Sequence, residues 1–317
     1  MDTPRASIII PNWNGLQHLP LCLAALRAQT WRDFETIVVD NASSDGSPDW
    51  LRRHYPEVRL LTLDRNRGFA GACNVGLRAA RGAILILLNN DTQVAPDWLA
   101  EVLAAFDRYP QAGMVASRML LFDRRDTLHT AGDVFRTDGT PGNRGVWQLD
   151  RGQFAEGPVF SANGGSAAYR REMLAQIGLL DEDFFYSCED VDLGWRAQLA
   201  GWQAIYAPRA VVYHKLAATG GGVTASFYDG RNFIYLLIKD VPAVIWQRHW
   251  WEIVRGQLRL TGAALRAWRG RAARARLRGQ IAGLLGAPRM LLKRRAVQAT
   301  CRVSAAYLEA LLTPVEE

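Results

Sequence analysis

The sequence predicts an α/β fold with a mainly parallel central sheet, and three observations carry that reading. Aliphatic runs alternate with helical patterns across short loops, the pattern of βαβ units with right-handed crossovers. Several of these runs stop in polar turns, so their carboxyl ends converge on one crevice, where open α/β sheets bind ligands. The run Ile84-Leu85-Ile86-Leu87-Leu88 reads as a strand buried on both faces, and it breaks at once into Asn89-Asn90-Asp91.

Taken in order, the strand Ser7-Ile8-Ile9-Ile10 is closed by Pro11-Asn12-Trp13-Asn14-Gly15, and a helix follows from about Pro20 to Gln29. The second strand, Thr36-Ile37-Val38-Val39, runs into Asp40-Asn41. Ser44-Asp45-Gly46 then reads as a turn and helix N-cap. A helix from about Pro48 to Tyr55, a strand from Val58 to Leu63, and a helix opened by Asn66-Arg67-Gly68 lead to the central strand. Asn74, near the head of that helix, is either a polar anchor or a ligand.

Side chains alternate along a strand, so Asp91 sits at the edge with Asn89 one pleat back on the same side. Oxygen ligands spaced this way suit a hard divalent cation that also holds a phosphate. A plain turn uses the same residue types.

Farther on, a helix is predicted from Asp97 to Tyr109, and residues 122–160 read as loops with short strands of substrate-binding or lid character. The pair Gly164-Gly165 lets backbone approach a ligand closely, or forms a tight turn. Glu189, Asp190 and Asp192 follow the aromatic run Phe184-Phe185-Tyr186. Three carboxylates so close are costly unless solvent, metal or hydrogen bonds compensate. A helix N-terminus also favours acids and accounts well for Asp192. The strand Val211-Val212-Tyr213 ends at His214, and Gly220-Gly221-Gly222 reads as a flexible stretch able to close over a ligand.

Composition narrows the class. The 317 residues are 49% hydrophobic and 22% charged, as in an ordinary globular chain, with a net charge of +7. That charge is uneven: residues 221–317 hold 16 Lys/Arg against 6 Asp/Glu, a balance of +10, while residues 1–220 balance to −3. A basic tail points to a polyanionic partner. Cys22, Cys73, Cys188 and Cys301 are scattered, which argues against a zinc site and suits a reducing cytosol. The first strand begins too early to leave room for a signal peptide. The apolar segment Phe233–Trp246 is broken by Lys239, Asp240 and Pro242, short of the roughly 20 residues that span a bilayer.

The blocks Ser7–Asn14, Val38–Ser47, Asn66–Gly76 and Leu88–Thr92 together resemble the inverting family 2 glycosyltransferases, closest to their rhamnosyltransferase and galactofuranosyltransferase-like branch. The resemblance covers residues 6 to about 235 and implies a GT-A fold, a nucleotide-diphosphate sugar donor, and Mn2+ or Mg2+. By matching position it implies that Asp40 bonds a uracil or thymine ring N–H, that Pro11 and Trp13 line the base pocket, and that Asn66 and Asn90 approach the donor. Asp91 takes the place of the metal-binding aspartate ending the family's Asp-x-Asp motif, and His214 that of the metal-binding histidine. The motif's first acid is Asn89 here, so it supplies one carboxylate and metal affinity should be lower. Asp190 maps to the general base that takes the acceptor hydroxyl's proton. Asn163, Gly164, Gly165, Glu189, Trp195 and Arg196 map to the sugar and acceptor side, with Asp192 orienting their helix.

The expected division is a catalytic domain over residues 1–225, its nucleotide half about 1–115 and its acceptor half about 116–225, then a basic helical region over 226–317. On a helical projection Arg248, Arg255, Arg259 and Arg266 share one sector, opposite Trp246, Trp250, Ile253, Leu260, Ala264 and Trp268. Such a helix lies in a membrane interface or packs on the catalytic domain with its arginines in water. The first reading makes the protein cytoplasmic and peripheral on the inner face of the cell membrane, with anionic lipid as partner and a lipid-linked or glycan acceptor. No nucleic-acid motif accompanies the charge. A nucleotidyltransferase would share the βαβ architecture but lacks its glycine-rich activating loop here. A degenerate transferase that binds nucleotide without turnover is favoured by Asn89 alone.

Overall fold

A computed structural model describes residues 3–216 and 222–315. The expected glycine stretch lies partly outside them, at Gly220 and Gly221. The chain runs β1 (Ala6–Asn12), α1 (Leu19–Arg27), β2 (Phe34–Asp40), α2 (Ser47–His54), β3 (Arg59–Thr62), α3 (Gly68–Ala79) and β4 (Ile84–Leu88). It continues through β5 (Thr92–Val94), α4 (Trp98–Arg108), β6 (Ala112–Leu121), β7 (Leu128–Thr130), β8 (Asp133–Arg136), β9 (Pro141–Asn143), β10 (Gly157–Val159) and β11 (Ser166–Arg170). Then come α5 (Arg171–Ile177), α6 (Glu189–Leu199), β12 (Gln203–His214), α7 (Val223–Lys239), α8 (Ala243–Arg266), α9 (Arg271–Leu285), α10 (Ala287–Ala299), α11 (Ala305–Ala310) and β13 (Leu312–Thr313).

The main sheet has the order β10-β12-β6-β11-β4-β1-β2-β3. Strands β3, β2, β1 and β4 are parallel, as are β6 and β12, while β11 runs antiparallel between β4 and β6. Helices cover both faces, giving two apolar cores: Ile8, Ile10, Ile86 and Trp98 in one, Ile9, Leu85, Leu87 and Tyr169 in the other. Adjacent residues of one strand enter opposite cores, which is why these strands read as unbroken aliphatic runs. The sequence reading passes over residues 112–121, which form β6; Ser117 there is buried and accepts a hydrogen bond from Trp98 Nε1 at 3.0 Å.

A third core joins the helices after residue 222 to the body. Phe135, Phe160, Phe184 and Trp195 pack there with Tyr235, Leu236, Ile245, Ile253 and Met290. The last strand, β13, pairs in parallel with β8. Helix α9 crosses α7 closely because Gly279 and Gly283 face its backbone; a Cβ on Gly279 would meet Phe227 O at 2.0 Å.

This packing corrects the expected lipid-facing sector of α8, because the third core takes up half of it. Ile253 and Ala264 are buried on the body, and Trp246 is part-buried with its Nε1 donating to Leu237 O at 3.0 Å. Trp250 and Trp268 remain exposed. Arg259 is not free for lipid, since it pairs with the buried Asp138 carboxylate at 2.6 Å. No helix among the described residues is long and apolar enough to cross a membrane.

Candidate active site

Two adjoining cavities of about 410 and 430 Å³ open at the carboxyl ends of β1 and β4. Phe69, Asn89, Asn163, Tyr186 and Ser187 line both. The larger holds Pro11, Trp13, Asn66, Asn90, Asp91 and His214; the smaller holds Asp133, Gly164, Gly165, Glu189 and Asp190.

Register brings Asp91 and His214 together. β5 pairs antiparallel with β12, with Thr92 opposite His214, so the residue before Thr92 meets the imidazole. His214 Nε2 lies 3.1 Å from Asp91 Oδ1 and 3.5 Å from the Asn89 amide nitrogen. Burial alone would raise the Asp91 carboxyl, but the hydrogen bond and charge of His214 bring it below its ordinary value. A carboxylate and an imidazole side by side suit a divalent transition-metal ion. Among the described residues no group of three or more His, Cys, Asp or Glu side chains could hold a metal. An ion held by this pair would need its other ligands from a bound molecule, such as the oxygens of a diphosphate.

His129 was missed by the sequence reading. Its Nδ1 lies 3.2 Å from His214 Nδ1, and its Nε2 lies 3.2 Å from the Asn143 amide. Burial, with the neighbouring His214, pushes it down to about 3, so it stays neutral and orients the His214 ring. A lone histidine in an irregular segment carries no sequence signal; only the strand pairing exposes it.

The acidic cavity shows why Asp190 differs from its neighbours. Asp190 Oδ2 accepts from Gly164 N at 2.7 Å and Oδ1 from Val191 N at 2.8 Å. Burial raises its carboxyl while those backbone donors oppose the rise. Glu189 and Asp133 are raised further, by burial and then by the Asp190 charge. Carboxyls this close do not all ionise together. The backbone donors therefore favour Asp190 as the charged one, while burial and its charge hold Asp133 and Glu189 above their ordinary values. Glu189 Oε2 is buried without a hydrogen-bond partner, a group open to a ligand hydroxyl. Asp133, also missed, accepts from Ser161 Oγ at 2.9 Å and Asn163 Nδ2 at 3.2 Å.

The loop before α6 is strained: Phe185, Ser187 and Cys188 have φ of 61, 69 and 68°. Helix α7 holds it, with Asn232 Nδ2 donating to the carbonyls of Phe184, Tyr186 and Ser187 at 2.7–3.0 Å. Gly68 is needed beneath it, with φ 72° and no room for a Cβ against Phe185 O. α7 also lends Asp229 and Phe233 to the acidic cavity. Cavity-lining residues thus continue past His214, which the sequence reading did not anticipate.

Several predicted residues are held elsewhere. Trp195 is wholly buried, edge-on to Phe135 and Phe160 at 4.9 and 5.1 Å, because helical spacing turns it inward. Arg196 is spent on Asp192 at 2.8 Å and on the carbonyls of Ile177 and Leu179. Neither lines a cavity, so the acceptor-side role read for both is corrected to a structural one. Asp192 also pairs with Lys239. Asp40 lies beneath the larger cavity, bonded to Asn12 Nδ2 at 3.1 Å and Ser43 N at 3.1 Å, and the adjacent Asn41 lines the wall instead. Asn90 donates to Asn12 Oδ1 at 2.8 Å, and Asn66 accepts from Asn41 Nδ2 at 3.0 Å. Asp45 serves its turn, accepting from Leu16 N and Ser47 N. Asn74 is an anchor, bonded both ways to the backbone of Leu180.

Residues 7–178 match the family model described as Glycosyl transferase family 2. The chain belongs to that family. It is 30% identical over 268 residues to the N-acetylglucosaminyl-diphospho-decaprenol L-rhamnosyltransferase of Mycobacterium tuberculosis, covering 77% of this chain and 87% of that one. It is 29% identical over 234 residues to the O-antigen biosynthesis protein RfbC of Myxococcus xanthus, covering 68% of this chain and 18% of that one. In fold it resembles the mannosyltransferase of Pyrobaculum calidifontis solved with GDP-Man and Mn2+, with a TM-score of 0.56 at 20% identity, covering 97% of this chain and 83% of that one. S. aureus TarS residues 1–349 give a TM-score of 0.59 at 17% identity, covering 93% and 90%. The protein is a family 2 glycosyltransferase with the GT-A fold, an enzyme of glycan synthesis.

Proposed function

We propose that this glycosyltransferase moves a sugar from a nucleotide-diphosphate donor of the dTDP-rhamnose or UDP-sugar kind to a hydroxyl of a lipid-linked or polysaccharide acceptor, with inversion. The reaction belongs to cell-surface glycan synthesis and takes place in the cytoplasm, at the inner face of the cell membrane. The mycobacterial relative is named for an L-rhamnosyl group and a diphospho-decaprenol, and the TarS neighbour has been solved with UDP-GlcNAc.

One observation carries the reading: the Asp91–His214 pair and the Asp190 carboxylate occupy adjoining cavities that share Asn89, Asn163 and Tyr186. Pro11 and Trp13 take the base, and Asp91 and His214 would hold Mn2+ or Mg2+, which would supply charge to neutralise the leaving diphosphate. Asp190 takes the proton from the attacking hydroxyl, and its raised carboxyl makes it the stronger base. Glu189, whose buried Oε2 has no hydrogen-bond partner in the protein, meets a sugar hydroxyl.

A thermal-shift panel of dTDP- and UDP-sugars with and without Mn2+ tests the assignment. The matching donor should stabilise the protein only with metal, by about 2.7 kcal/mol at a hundredfold excess over Kd. Asp91→Ala and His214→Ala should each abolish the metal-dependent part, whereas Asn89→Asp should preserve or strengthen it. An unchanged metal response in both alanine variants removes that pair from the coordination sphere. His129→Leu should weaken Mn2+ binding by calorimetry about 10–100-fold, as loss of a ligand's orienting partner does. Wild-type affinity in that variant would leave His129 a packing residue.

A further inference from the structure

We propose that the outer face of the C-terminal helices is a docking surface for an anionic lipid bilayer, seated through an apolar stripe on α8 that arginines flank. The proposal deepens the reading of a lipid-linked acceptor and rests on it for its purpose. The stripe is not the sector the sequence singled out, since the third core covers half of that one. Trp250, Trp251, Leu258 and Leu265 are 56, 58, 63 and 55% exposed, with Val254 among them. At 100° per residue these five fall within a sector about 100° wide, the width of a buried helix face, yet they lie in water. Ile245, Ile253, Gly256 and Ala264 occupy the opposite side and are buried on the body.

The neighbouring helices continue the pattern. On α9 Gly279 and Gly283 pack against α7, while Ile281, Leu284 and Leu285 stand exposed, Leu285 at 77%. Leu291 and Leu292 of α10 are also exposed. Isolated surface leucines are ordinary, but a continuous apolar stripe rimmed by polar groups marks an interaction site.

Charge selects the occupant. Arg255 and Arg266 fall in the sector beside the stripe, and Arg269, Arg271, Arg274 and Arg278 follow it, all exposed. The acids of this region are already taken: Glu252 pairs with His249, Glu309 with His249 and Arg248, and Asp229 lies in the cavity. A second copy would bring these arginines against one another with few acids to answer them. Anionic head groups answer them, while tryptophan and leucine enter the head-group boundary. The platform also lies beside the acceptor cavity, because α9 packs on α7 and α7 supplies Asp229 and Phe233 to that cavity.

The test is co-sedimentation of the full chain with phosphatidylglycerol or phosphatidylcholine vesicles over a salt series. Wild type should bind the anionic vesicles, release as salt rises, and ignore the neutral ones. Arg255→Gln/Arg266→Gln/Arg269→Gln should weaken that binding about 100-fold. Trp250→Gln/Trp251→Gln/Leu258→Gln should lose both the binding and the blue shift of tryptophan emission on vesicles. Both variants should melt like wild type and hydrolyse donor at its rate. If wild type stays in the supernatant with either lipid, or both variants bind as wild type does, docking fails. If sedimentation velocity shows a dimer that the tryptophan variant dissolves, the stripe belongs to a second copy and the proposal falls. A protein that docks but turns over no donor keeps the docking surface and loses the transferase reading, so the two failures are separable.

Discussion

Asp190→Asn should lower kcat for sugar transfer by about 10²–10⁴-fold while leaving donor affinity within a few-fold. The amide keeps an oxygen for the Gly164 N–H but cannot take a proton from the acceptor hydroxyl. The wild-type rate should climb with pH through an apparent value above that of an ordinary aspartate, because burial raises this carboxyl. That limb should vanish in the variant. Glu189→Gln and Asp133→Asn should cost less and keep the limb, since burial and the Asp190 charge raise both carboxyls further than Asp190 itself, whose backbone donors favour its charged form. If Asp190→Asn transfers at near wild-type rate while Glu189→Gln does not, the base is Glu189.

Lys239→Met should destabilise the fold by about 3 kcal/mol, the low end for breaking a buried ion pair. Lys239 Nζ is buried between Asp181, at 2.6 Å, and Asp192, which has no exposed side-chain surface. Arg196 still holds Asp192 and Lys293 still holds Asp181, which keeps the loss from being larger. Lysine burial opposes its charge, yet Asp192, Asp240 and Asp181 outweigh it and hold the ammonium above its ordinary value. Asp181 and Asp192 are held below theirs. The aspartates therefore contribute stability that is present above their unfolded values, near 3.9, and is lost as pH falls through the lower folded values. The lysine's contribution is present below its unfolded value, near 10.4, and fades as pH rises through the higher folded one. Denaturant unfolding at neutral pH should show the full difference between variant and wild type, and an acid titration should narrow it. A loss under about 1 kcal/mol would mean that the network is worth no more than a surface pair.

The same lysine ends α7, whose Asn232 holds the strained Phe184–Cys188 loop in place. Loosening it should weaken donor binding as well as stability.

What the sequence determined by itself is the parallel part of the sheet and the residues at its carboxyl ends. Strands β1, β2 and β4 are buried on both faces, so their aliphatic runs and polar stops are written locally and needed no third dimension to be read. Asp91 and His214 stand at strand ends, Gly164-Gly165 just before β11 and Asp190 in the first turn of α6, and the fold brings them to the two cavities.

Tertiary structure decided the rest, because the deciding contacts join residues far apart in the chain. Asp40 and Asn41 follow one another in the same turn and both are buried, yet of the two it is the second that lines the cavity. Trp195 and Arg196 look as available as Asp190, one helix turn before them, but the third core claims the first and Asp192 the second. His129, Asp133 and Asn232 carry no local signal; each acquires its place only when β7, β8 or α7 is laid against the loop or strand it serves. The tail divides in the same way. Helical period and charge can be counted along the chain, but which apolar sector of α8 packs and which faces water was fixed by where the body offered Gly139 to Ile253 and Asp138 to Gly256. A projection holds only angles, and burial depends on what lies opposite.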